Sequence, residues 1–102
     1  MKGKKVYING YKHKKGNPMK KEIKLYTWPQ CPYSNGAKRL LNERGLEYTD
    51  VNIYHNNEIR NQLESITNHY TVPFIFIGDT CIGGLAELQE LDVRGELIEL
   101  LK

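Results

Sequence analysis

Four consecutive apolar residues, Phe74-Ile75-Phe76-Ile77, offer no polar position to water. A strand with one wet face alternates apolar and polar side chains, so this run reads as a central strand covered on both sides. Its flanks fix its limits. Thr71-Val72-Pro73 leads into it, and Gly78-Asp79 turns it into Thr80-Cys81-Ile82, a hairpin partner that ends at Gly83-Gly84.

The remaining elements follow from periodicity. Ile23-Lys24-Leu25-Tyr26-Thr27 opens with apolar and polar residues in alternation and is rich in strand formers, and Trp28-Pro29-Gln30 breaks it. From Tyr33 to Arg44 the residues Ala37, Leu40 and Leu41 recur at helical spacing, with Gly45 as the stop. Tyr48 to Ile53 is a second strand. Asn57 to Thr67 sets Ile59, Leu63 and Ile66 on one helical face and runs into Asn68, a residue that tolerates a helix end. Ala86 to Leu101 carries Leu88, Leu91, Leu97, Ile98 and Leu101 with a break at Arg94-Gly95, which predicts one or two closing helices. Strand, helix, strand, helix, hairpin and helix is the order of an α/β, thioredoxin-like fold, a mixed four-stranded sheet flanked by helices.

Charge excludes one class of partner. The 102 residues carry a formal charge of +3, yet six of the fifteen lysines and arginines fall in residues 1–18, which hold no acid. Residues 19–102 therefore set nine cations against twelve acids, a formal charge of −3, and lack the basic stripe of a nucleic-acid binder. Residues 1–18 contain no apolar run long enough for a signal-peptide core or a membrane span. They read as a basic flexible leader or an added extension ahead of one domain at 19–102, with a polybasic contact arm as the alternative. No nucleic-acid or membrane partner is expected. Two cysteines, Cys31 and Cys81, far apart and without an export signal, point to a reducing, cytoplasmic setting.

Cys31-Pro32-Tyr33-Ser34 lies where the first strand gives way to the first helix. The unpaired N–H groups and positive end of a helix stabilise negative charge, so Cys31 is a candidate reactive thiolate. Ser34 stands where a dithiol redox protein carries its second cysteine, so an outside thiol must complete any exchange. His55 and His69 have no cysteine or histidine at metal-ligand spacing and read as surface residues.

Together, Cys31-Pro32-Tyr33-Ser34, Thr71-Val72-Pro73 and Gly83-Gly84 resemble the glutaredoxins, with the family's spacing intact across residues 22–101. The resemblance implies that Cys31 is the nucleophile and that Ser34 marks a monothiol-type member. It implies a cis Pro73 facing the cysteine, with Thr71 and the backbone of Val72 pairing with the cysteinyl part of glutathione like an added strand. Gly84, Leu85, Ala86 and Glu87 correspond to the place where the γ-glutamyl end lands, at a helix N-terminus suited to a carboxylate. Two departures matter. Alanine at position 86 offers only its backbone N–H where many members have an acidic or hydroxyl residue, which leaves Glu87 to anchor the γ-glutamyl amine. Trp28 stands where most members carry Lys or Arg, three residues before the nucleophile.

Arg60 matches a frequent glutamine contact in the second helix and either supplies that lost cation or is a solvated helix charge. Trp28 either walls the cysteine or caps the core. Tyr33 lies along the entrance or packs on the surface, and Ser34 either donates to the thiolate or only caps the helix. Cys81 aligns with a cysteine outside the active site and is expected to be a partly buried packing residue.

What the resemblance implies is a glutathione-dependent thiol-disulfide oxidoreductase. It would reduce glutathione mixed disulfides of proteins or small molecules by a monothiol ping-pong route, with glutathione as co-substrate. A monomer without metal is expected. The alternative is a glutathione-ligated iron-sulfur cluster carrier, against which Pro32 and Tyr33 speak, because cluster-binding relatives usually have glycine or serine beside the cysteine.

Overall fold

The structure is a computed structural model that describes residues 21–102 and the backbone of residues 4–6. Its elements are β1 (Lys4–Val6), β2 (Ile23–Thr27), α1 (Pro32–Glu43), β3 (Tyr48–Asn52), α2 (Asn57–Thr67), β4 (Phe74–Ile77), β5 (Thr80–Gly83), α3 (Leu85–Val93) and α4 (Leu97–Leu101). All four expected strands are present in a mixed sheet. β2 runs parallel to β3 and antiparallel to β4, and β4 runs antiparallel to β5. The sheet gains a fifth strand that the sequence pattern did not announce. β1, from the stretch set aside as a leader, pairs antiparallel with β3 and gives the order β1-β3-β2-β4-β5. An outer strand such as β3 leaves a row of N–H and C=O groups unpaired, and even three residues can satisfy part of it. The rest of that leader lies outside the described residues.

Alternation along the strands divides the interior in two. Ile23 and Leu25 of β2 and Ile75 and Ile77 of β4 point into one cluster with Ala37, Leu41, Leu88, Leu97 and Leu101 from α1, α3 and α4. The opposite side chains, Phe74 and Phe76 of β4 and Tyr26 of β2, join Leu63 and Ile59 of α2 in a second cluster. β4 is apolar throughout because both of its faces are covered.

Local chemistry ends each element. Gly45, at φ 70°, and Asn68, at φ 59° and ψ 26°, take the left-handed conformations that stop α1 and α2. Gly78, at φ 61°, supplies the first central position of the β4–β5 hairpin. Arg44, capping α1, donates from Nε and Nη2 to the two carboxylate oxygens of Asp92, each at 2.7 Å, and ties α1 to α3. That paired donation holds the Asp92 carboxyl below the ordinary carboxylate range. On the sheet, Thr27 is buried and donates to Asp50 at 2.6 Å, while the Lys38 ammonium lies 2.7 Å from the other oxygen of the same carboxylate.

Leu41 is fully buried between α1 and the sheet. Leu41→Ala is expected to lower stability by about 2–5 kcal/mol in urea unfolding, because the rigid surroundings close only part of the cavity.

Candidate functional site

Cys31 is the N-cap of α1, in extended backbone (φ −82°, ψ 123°), and its carbonyl accepts the first helical bond from Asn35 N–H at 3.0 Å. Pro32 occupies the first helical position, where its missing N–H costs nothing. No side chain caps this end, so the first-turn N–H groups remain for negative charge at the sulfur's position. Cys31 is partly exposed, and its buried side packs on the cluster that holds Val72, Phe74, Trp28 and Ile59. Ser34 has no exposed surface, and its oxygen accepts a long, weak contact (3.5 Å) from Trp28 N–H, stitching the strand-to-helix loop together. Tyr33 stands 64% exposed on the outer face of the same turn.

The Val72–Pro73 peptide is cis, and both residues are buried while Thr71 is exposed. Opposite this loop, Gly83 takes φ 112° and Gly84 caps α3. A Cβ on Gly84 would stand 3.4 Å from the Pro73 carbonyl oxygen and 3.3 Å from the His69 ring, so glycine lets the two segments approach. Glu87, at the third position of α3, reaches back to accept from Gly84 N–H at 2.8 Å. This is half of a capping box, since glycine has no side chain to return the bond. The Gly84 N–H, then Glu87's own N–H, hold the Glu87 carboxyl below its ordinary value. Leu85 is half-buried and Ala86 exposed in the same first turn.

On the other flank the Arg60 guanidinium lies 5.1 Å from the centre of the Trp28 ring. Its Nε pairs with Glu64 at 2.9 Å and its Nη2 donates to the Tyr70 carbonyl at 2.8 Å, while Nη1 makes no hydrogen bond among the described residues. Trp28 also meets Tyr54 edge to face at 5.7 Å. Trp28 therefore carries a cation on one side and packs against the cysteine's cluster on the other.

The glutaredoxin family model matches residues 23–82, more than half of the chain. The chain belongs to the glutaredoxin family. It is 38% identical over 87 residues to human Glutaredoxin-1, covering 79% of this chain and 82% of that protein. Against Glutaredoxin 3 of Escherichia coli the figures are 39% over 80 residues, 78% of this chain and 96% of the relative. Among solved structures, a dithiolic glutaredoxin of Trypanosoma brucei brucei is 32% identical with a TM-score of 0.73, covering 80% of this chain and 88% of that one. A buckwheat glutaredoxin–glutathione complex is 26% identical with a TM-score of 0.75, covering 79% and 76%. This glutaredoxin thus has the fold and general role of the family's thiol-disulfide oxidoreductases.

One residue sits differently from its sequence reading. His69 is half-buried in the core of the site, where a surface position was expected, while His55 is exposed as read. Only the folding of the 67–74 loop against Gly84 places His69 there, and no spacing in the sequence signals it. Arg60, read as the replacement for the cation missing at Trp28, lies over the Trp28 ring itself.

Glu87 gives this site an acid signature. Its folded carboxyl titrates below its ordinary value of 4.5, so its contribution to stability is full above that pH and is lost as pH falls through the lower folded value. Urea unfolding from about pH 6 to pH 3 is expected to show wild type losing its advantage over Glu87→Gln as acidity rises.

Proposed function

We propose that this glutaredoxin reduces glutathione mixed disulfides through Cys31 alone. The observation that carries the reading is a cysteine at a helix N-cap, packed against the cis-proline loop, with a buried serine in place of a second thiol. The Cys31 thiolate attacks the glutathione sulfur of a mixed disulfide. A Cys31–glutathione disulfide forms, the original S–S bond breaks, and the leaving thiolate departs and takes a proton from water. A second glutathione, as thiolate, attacks the glutathione sulfur of that intermediate, releasing oxidised glutathione and restoring the Cys31 thiolate. Both steps exchange one S–S bond for another, so no further oxidant or reductant enters.

Positioning supplies much of the rate, since in-line attack requires the reacting sulfurs to be held together. Thr71 and the Val72 backbone offer an extended edge to the cysteinyl part of glutathione. The first turn of α3, at Leu85 and Ala86, offers N–H groups to the γ-glutamyl carboxylate, and Glu87, which holds the Gly84 N–H, faces its amine. Arg60 restores the cation that Trp28 displaced, with Nε and Nη2 engaged by Glu64 and the Tyr70 carbonyl and Nη1 left for the glycyl carboxylate. A buckwheat relative solved in complex with glutathione supports glutathione as the ligand of this site. Cys81 takes no part, because burial pushes its thiol up and leaves it a poor nucleophile.

In a glutathione-coupled disulfide reduction assay, Cys31→Ser is expected to abolish turnover and the glutathione adduct seen by mass measurement, while Cys81→Ser retains both. Loss of most activity in a folded Cys81→Ser protein would refute the single-thiol cycle. Arg60→Gln is expected to raise KM for the mixed disulfide about fivefold with kcat kept, the size of one partly exposed charged contact.

A further inference from the structure

We infer that His69 is a positioning residue for the glutathione groove, holding the cis-proline loop in place through a hydrogen bond from Nε2 to the Pro73 carbonyl. The local chain fixes the imidazole before any ligand arrives. Asn68 turns the backbone left-handed at the end of α2, and the His69 N–H donates to the Thr67 hydroxyl at 3.0 Å, which itself donates to the Leu63 carbonyl at 2.6 Å. The ring then meets Phe74 edge to face at 5.2 Å, which sets its plane. Nε2 lies 3.2 Å from the Pro73 carbonyl oxygen and 3.5 Å from the Thr71 hydroxyl. A carbonyl only accepts, so Nε2 carries the proton of that contact. The same ring edge lies 3.3 Å from where a Cβ on Gly84 would stand. His69 thus holds Thr71-Val72-Pro73 with a ring edge that also faces the Gly84 end of α3.

The inference rests on the proposed function, since it assigns His69 a role in the glutathione-binding loop. A loop that binds ligand equally in ground and transition states acts on KM and leaves kcat alone. His69→Phe keeps an aromatic ring against Phe74 and removes the donor. His69→Gln keeps an N–H able to reach the carbonyl.

The test is steady-state kinetics on a glutathione mixed disulfide, joined to ¹⁵N NMR of the wild-type imidazole. His69→Phe is expected to raise KM about fivefold with kcat nearly unchanged, the scale of one neutral hydrogen bond. His69→Gln is expected to return KM to within about twofold of wild type, and the NMR spectrum to show the proton on Nε2. An unchanged KM in His69→Phe, a His69→Gln variant as impaired as His69→Phe, or a proton on Nδ1 alone would each overturn the inference while the cycle through Cys31 stood. Wild type with no turnover of the mixed disulfide would overturn the proposed function itself. The inference as a statement about the groove would fall with it, even with the proton found on Nε2.

Discussion

Burial of β4 on both faces is the constraint on which the rest of this structure depends. Phe74 and Phe76 serve the α2 side and Ile75 and Ile77 the side of α1, α3 and α4, so one short strand divides and joins both cores. Its position is also what places the chemistry. The strand begins immediately after the cis Val72–Pro73 peptide and, through the Gly78 turn, leads into β5 and the glycines that open α3. Displacing β4 would separate the two walls of the groove at once.

Two helix N-termini and one loop then form the site. Cys31 starts α1 and Gly84 starts α3, so both segments present backbone N–H groups and the positive end of a helix to negatively charged partners. At the first the Cys31 sulfur sits beside N–H groups that no side chain caps. At the second Glu87 already occupies the Gly84 N–H, which keeps a carboxylate beside the groove at neutral pH. Between them the cis-proline loop is held from behind by His69, and its Val72 belongs to the cluster on which Cys31 packs. Trp28 and Arg60 form one unit, a guanidinium over an indole, which neither residue shows by itself.

Much of this was legible in the sequence, for reasons that lie within a few residues of chain. Helix α2 and strand β4 have the bounds that periodicity set, and the stops at Gly45, Asn68 and Gly95 reflect backbone preferences of single residues. The Cys31 and Gly83-Gly84 motifs stand at the junctions expected of them, and Pro73 is cis as the family resemblance implied. The pairing of Lys4–Val6 with β3 was not legible, since three residues carry no period and the partner edge exists only once the sheet has formed. Ser34 was readable as a missing thiol, but its complete burial and its contact with Trp28 N–H depend on how the loop closes over the helix start.

By itself, then, the sequence determined the order of elements from β2 to α4, the candidate nucleophile and the absence of a second thiol beside it, because these are written in local spacing and residue chemistry. Tertiary structure alone decided that His69 faces inward onto Pro73 and that Arg60 lies over Trp28. His69 meets the Pro73 carbonyl only when the loop they share folds back on itself, and Arg60 meets Trp28 only when α2 packs on the sheet. No periodicity encodes such a meeting, because it is a property of the packed faces and not of either segment.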